Sequence, residues 1–233
     1  MKYVSIDLET TGLYPKKGHQ ILTLSGILED TNKRLSFEGS PKLNIYILRD
    51  SMVGSPFALS MNSEIISSIS KYQGIKTKED KIEFSELMNA IFLEERFVNF
   101  YFYIWCLVNI KGEHNLNDLL ETKNWVDESW VNEKYLMFDT LISTYGKVTI
   151  NVAGKNFASF DKKFIDSFPV NFYKGVNIRQ RILDPAILFI DWENDDCLPD
   201  LTECKKRANI DGIVTHDSLY DAWDVIQSLR AKY

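Results

Sequence analysis

The first strand-like segment constrains the fold more than any other part of the chain. Residues 2–9 alternate strictly: Val4, Ile6 and Leu8 fall on one face, and Tyr3, Ser5, Asp7 and Glu9 on the other. A period of two with β-branched residues specifies a β-strand. Asp7 and Glu9 are two residues apart, so their carboxylates project from the same face. They lie at the C-terminal end of the strand, where open α/β sheets place their sites. Paired carboxylates on one edge repel each other and lose hydration, a costly arrangement unless a divalent cation joins them. An isolated Asp-x-Glu pair is nevertheless most often a solvated strand end, so a chemical role has to rest on further residues. Thr10, Thr11 and Gly12 form a polar turn whose N–H groups can face an anion, with Leu13 and Tyr14 as an apolar edge beside it.

Downstream, QILTLSGILED is a second strand leading into a turn at 30–33, and 34–48 offers one or two more, broken around Gly39–Pro41. Pro56 opens a helix with Leu59, Ile65, Ile66 and Ile69 at near-helical spacing. The segment 73–130 reads as mostly helical and as an excursion from the main domain. Residues 135–145 form a helix ended by Gly146, KVTINVA at 147–153 a strand, and 157–168 a helix stopped by Pro169. Residues 182–184 are extended, LPDLTECKKRANI is a short helix, and 217–232 a terminal helix with Leu219, Ala222, Trp223, Ile226 and Leu229 on one stripe. Strands followed by βα units make a mixed α/β domain.

Of the 233 residues, 45% are hydrophobic and 26% charged, ample for a packed core, and no Gly/Ser or Pro-rich linker divides them. The expectation is one domain over 1–233. A net charge of −6 excludes a protein that coats nucleic acid indiscriminately, but not an enzyme that uses a few lysines and metal ions at one site. Cys106, Cys197 and Cys204 include no Cys-x-x-Cys pair and read as reduced thiols in a cytoplasm-like compartment. The N-terminus lacks the apolar core of a secretory leader. The apolar run at 97–110 is too short for a bilayer and carries Asn99, so it reads as a core helix or strand.

DLETTGL at 7–13 resembles the first motif of the DEDD superfamily of 3′–5′ exonucleases. KNFASFDKKF at 155–164 supplies that family's second Asp after a Phe, as Asp161 after Phe160. HDSLYD at 216–221 gives His216 and Asp221 at the spacing of the DEDDh (DnaQ-like) branch. Three motifs in order are far more specific than any one, and they cover the first 30 or so residues and 147–233, but not 73–130. The resemblance implies a ribonuclease H-like fold, a central mixed sheet flanked by helices. It also implies two Mg²⁺ or Mn²⁺ ions held by Asp7, Glu9, Asp161 and Asp221, with Asp7 shared between them and His216 accepting a proton from water. Five residues turn a helix through about 500°, so His216 and Asp221 cannot share a helical face. His216 is therefore expected on the loop before the helix and Asp221 on the helix itself.

By the same resemblance, Thr10, Thr11 and Leu13 match positions that contact the terminal sugar and base, and the helix containing 57–66 matches one that touches substrate. Asn156 and Phe157 are expected to line the path of the strand, whereas Phe160 reads as core packing. Lys155, Lys162 and Lys163 flank the same segment. Lys205, Lys206 and Arg207 read as a solvated face, and His19 and His114 match no motif. The implied activity is removal of nucleoside 5′-monophosphates from single-stranded 3′ ends, DNA ahead of RNA, by a monomer in the cytoplasm of a bacterial or phage-infected cell. Two alternatives stay open: an exoribonuclease trimming short RNA, and a binding module whose aromatic-rich 73–130 segment holds a polymerase or repair partner.

Overall fold

The computed structural model describes residues 1–212 and 214–233. Its strands are β1 (Lys2–Thr10), β2 (Ile21–Asp30), β3 (Lys42–Leu48), β4 (Ile91–Glu94), β5 (Val148–Ile150), β6 (Val152–Ala153) and β7 (Val176–Ile178). Five of them form one mixed sheet in the order β4-β3-β2-β1-β6. The pairs β1/β2 and β2/β3 are antiparallel, and β3/β4 and β1/β6 parallel. β5 and β7 pair in parallel separately, and a parallel bridge from Ala153 to Leu183 continues the main sheet beyond β6. The helices are α1 (Pro56–Met61), α2 (Ser63–Gly74), α3 (Lys78–Leu87), α4 (Val98–Cys106), α5 (Thr122–Trp125), α6 (Glu128–Tyr135), α7 (Phe138–Tyr145), α8 (Asp161–Asp166), α9 (Ala186–Phe189), α10 (Leu201–Arg207) and α11 (Ser218–Arg230). This is the mixed α/β fold, a central mixed sheet flanked by helices, that the motifs implied.

The alternation in β1 has two buried faces to serve. Val4, Ile6 and Leu8 join the main core with α4, whereas Tyr3 packs with Leu219, Ala222, Val225, Ile226 and Leu229 of α11. Asp7 and Glu9 therefore lie on the α11 face. α4 is buried along its whole length, which is why it is apolar all round. Two of its polar side chains tie it to the rest of the fold: Asn99 Nδ2 donates to the Asn171 carbonyl at 3.1 Å and Trp105 Nε1 to that of Lys42 at 3.0 Å. The segment 73–130 is thus no excursion, since it supplies β4 and the central helix of the core. Its aromatic side chains Phe100, Tyr101, Phe102, Tyr103, Trp105 and Trp125 are buried rather than offered to a partner.

Three local expectations change. The 147–153 strand divides at Asn151, whose Nδ2 donates to the Lys2 carbonyl at 2.9 Å and whose own carbonyl accepts from Val4 N–H at 2.9 Å. The chain there leaves β7 and takes up β1. The 157–168 helix starts only at Asp161, after a turn with Asn156 at φ +60°. Lys205 is not on a solvated face: it is buried and its Nζ lies 2.6 Å from Asp224 of α11. Arg207 likewise spans Glu203 and Asp195.

The C-terminal helix is fastened to β2 by a buried carboxylate. Glu29 is 1% exposed and accepts from Arg230 Nε at 2.9 Å, Arg230 Nη2 at 2.6 Å and Tyr233 Oη at 3.1 Å. Removing one partner of such a pair strands the other charge. Glu29→Ala is expected to cost about 3 kcal/mol in a urea titration, whereas removal of the exposed Glu94–Arg96 pair should cost well under 1 kcal/mol.

Candidate metal and nuclease site

β1 carries its carboxylates opposite small hydroxyl residues. Asp7 faces Ser25 and Glu9 faces Thr23 across the antiparallel ladder, and Asn44 and Tyr46 follow on β3. Ser218, the first residue of α11, bonds both hydroxyls, at 2.8 Å to Thr23 Oγ1 and 2.7 Å to Ser25 Oγ. Asp217 caps the helix by accepting from Leu219 N–H at 2.9 Å. This stitching fixes the start of α11 over the carboxylate row, so Asp221, one turn on, faces β1. The register shifts between Glu9 and Thr10, a bulge that ends regular pairing directly after the acidic pair.

One carboxylate oxygen from each of Asp7, Glu9 and Asp221 lies within 4.8 Å of the others. Asp161, at the first position of α8, is 3% exposed and near enough for its charge to act on Asp7. Burial is the largest influence on all four. It holds Asp7 well above the ordinary carboxylate range, with Asp161, Glu9 and Asp221 adding repulsion. Burial and the charges of Asp221 and Asp217 push Glu9 up to about 8, burial raises Asp161 to about 8, and burial with the Asp224 charge raises Asp221 to about 6. Asp221 Oδ1 is buried with no hydrogen-bond partner among the described residues. Carboxylates crowded without hydration or a matching cation have to take up protons or a metal ion. An all-oxygen anionic donor set suits a hard divalent ion such as Mg²⁺ or Mn²⁺. Asp7, Glu9 and Asp221 are placed to hold a divalent ion.

His216 lies where its spacing from Asp221 requires, on the loop before α11, exposed and at φ +55°. It lines a cleft of about 410 Å³ together with Thr23, Tyr46, Asn62, Asp217 and Ser218. The five residues of the acidic and histidine motifs thus come from three separated segments to one end of the sheet.

The expected substrate-contacting residues divide. Leu13 is 63% exposed, and Asn156 is exposed in a left-handed conformation, which Asn tolerates. The other three are committed elsewhere. Phe157 is fully buried in the main core and cannot line a strand path, while Phe160, read as the core residue, is half-buried. The aromatic that follows Asn156 is turned inward by the tight turn before α8. Thr11 is buried, its Oγ1 donating to Val53 O and accepting from Gln20 N–H at 2.8 Å, and its N–H donates to Gln20 O at 2.9 Å. Thr10 is buried too, with Oγ1 donating to Gly12 O at 2.8 Å. Both threonines shape the turn. Gly54 explains why the 53–55 loop can sit on it, because a Cβ there would come within 2.2 Å of the Thr11 carbonyl oxygen.

Lys155 and Lys162 are engaged locally, by Asn156 and Asp166, and Lys163 is exposed. Thr23, Ser25, Ser218 and Asn62 also belong to the site; none is a signature residue, although Ser218 lies within HDSLYD and Asn62 within the 57–66 segment. The sequence does carry a signal for the first two, since Thr and Ser alternate with apolar residues in ILTLSGI, the pattern of a strand with a polar row.

No protein-family model matches the chain, and no curated protein does. Among solved structures it is similar to Escherichia coli Exonuclease I in complex with a dT13 oligonucleotide, at 14% identity and a TM-score of 0.49 over 98% of the chain. The chain spans 40% of the length of that protein. Among the described residues no helix is long and apolar enough to cross a membrane.

Proposed function

We propose that this chain is a metal-dependent 3′–5′ exonuclease of the DEDDh type, acting on single-stranded ends, DNA in preference to RNA. The observation that carries the reading is the grouping of half-buried Asp7 with buried Glu9 and Asp221, with Asp161 near Asp7 and His216 on the rim of the adjoining cleft. A structural role gives no reason to bury four mutually repelling carboxylates, whereas phosphoryl hydrolysis needs such a set.

In this reading Asp7, Glu9, Asp161 and Asp221 hold two Mg²⁺ or Mn²⁺ ions. Divalent ions at such a site supply the positive charge that favours ionised water and the departing oxygen. His216 accepts the proton of the attacking water, and its exposed loop position leaves the ring free to reach the scissile phosphate. Leu13 stands beside the terminal base and Asn156 along the strand. Thr10 and Thr11 act indirectly by fixing the turn that presents Leu13. The protein works as a monomer in the cytoplasm, with the nucleic-acid end as its main partner.

Mass spectrometry of the products tests the chemistry: single-stranded DNA with Mg²⁺ should yield nucleoside 5′-monophosphates. Nucleoside 3′-monophosphates, or products that persist in EDTA, would contradict it. His216→Gln is expected to lower kcat by about 10²–10⁴-fold, the range for loss of a general base. Its melting temperature should match wild type because the side chain is exposed. A variant within threefold of wild-type kcat would remove His216 from the mechanism.

A further inference from the structure

We propose that Asn62 is a positioning residue of the metal centre, one that ties the Glu9–Thr10 end of β1 to α2 and offers its amide oxygen to the water shell of a bound divalent ion. The inference rests on the metal-dependent reading above and adds a residue outside the acidic and histidine motifs, in the 57–66 segment that the resemblance matches to a substrate-touching helix.

Asn62 is the joint between α1 and α2. Its N–H closes α1 on the Ala58 carbonyl at 3.0 Å, and its carbonyl accepts the Ile66 N–H of α2 at 3.0 Å. The side chain is 2% exposed. Nδ2 donates to the Thr10 carbonyl at 3.0 Å, directly after the bulge that ends regular β1 pairing. The same carboxamide lies against the Glu9 carboxylate and lowers it, opposing the effect of burial. The carboxamide thus holds the backbone just after Glu9 and sits beside the Glu9 carboxylate.

The other end of the side chain is unaccounted for. Oδ1 is buried and accepts no hydrogen bond from the described residues, and a buried amide oxygen left so costs about 1–3 kcal/mol. The Thr23 and Ser218 hydroxyls beside it are engaged with each other, and Asp217 with the Leu219 N–H. The water shell of a bound ion would supply a donor. Hard divalent ions keep several water ligands, and each is a strong donor. Residues around a metal's direct ligands, which orient those ligands and hydrogen-bond the shell, typically change affinity by 10–100-fold when removed.

The test is Mn²⁺ binding without nucleic acid, by titration calorimetry and by the electron paramagnetic resonance signal of free Mn²⁺. Wild type, Asn62→Leu and Asn62→Ser are compared, with melting temperatures in EDTA. Leu keeps the volume and removes all polar atoms, and Ser keeps a small donor near Thr10, so a folding failure of one leaves the other. The expected result is a 10–100-fold weaker Mn²⁺ affinity in each folded variant, with hydrolysis recovering as Mn²⁺ is raised. Affinities within twofold of wild type, with only the EDTA melting temperature lowered, would make Asn62 a helix joint and overturn the proposal. If wild type itself binds no Mn²⁺, the metal-dependent reading fails with it; if wild type binds and the variants match it, only the role of Asn62 fails.

Discussion

Asp7→Asn is expected to abolish metal-dependent hydrolysis and, at the same time, to raise the melting temperature of the metal-free protein. The two effects share one cause. Asp7 stands among Glu9, Asp161 and Asp221, and those carboxylates and burial all disfavour its charge. For a bound ion this crowding is affinity. Without an ion it is stored repulsion, which a neutral amide of the same shape relieves. The loss of activity should be on the order of 10³-fold or more, because ionic stabilisation of the transition state is worth several kcal/mol. The gain in the metal-free protein should be a few degrees, since about 1 kcal/mol moves Tm by roughly 2–4 °C in a protein of this size. Calorimetry in EDTA beside a hydrolysis assay in Mg²⁺ measures both. An Asn variant that melts below wild type in EDTA would mean that Asp7 is held by structural hydrogen bonds rather than crowded.

The second large effect is a pH-dependent response to metal. Glu9 and Asp161 are raised to about 8 and Asp221 to about 6, so the folded, metal-free protein keeps protons that the unfolded chain releases. For groups raised on folding, this contribution is fully present below the ordinary carboxylate range. It is lost as pH climbs through the folded values, here between about 4 and 8. In EDTA, Tm is expected to fall over that window. Added Mg²⁺ or Mn²⁺ competes with the same protons, so the metal-induced rise in Tm should be small at pH 5 and large at pH 8.5. Asp7→Asn should flatten both trends. A metal response equal at the two pH values would indicate that the ion binds elsewhere.

The parts of the fold legible in the sequence are those where one element's own period decides burial. The alternation of residues 2–9 placed Asp7 and Glu9 together on a strand, and the stripe in 218–230 gave α11 with Asp221 on its inner side. The rest depends on neighbours distant in the chain. Apolarity along 98–106 cannot say that the helix lies at the centre of the fold, because that depends on β3 and the 172–174 turn packing over it. The charge of Lys205 suggested solvent until Asp224, 19 residues away, was in place to receive it. Phe157 joins the core because the helix begins only at Asp161 and the turn before it directs that ring inward, while Phe160 packs half-buried against the same core, as expected. Asn62 is an ordinary helix-joint residue in sequence, and only the β1 bulge beside it gives it a place at the site.

The most direct test of the account uses single-stranded DNA and RNA oligonucleotides labelled at the 5′ end, incubated with the protein in EDTA, Mg²⁺ or Mn²⁺. The account predicts a ladder that shortens one nucleotide at a time from the 3′ end, only with metal, and faster on DNA. No cleavage by folded protein with either metal, or internal cuts that leave the 3′ terminus intact, would contradict it.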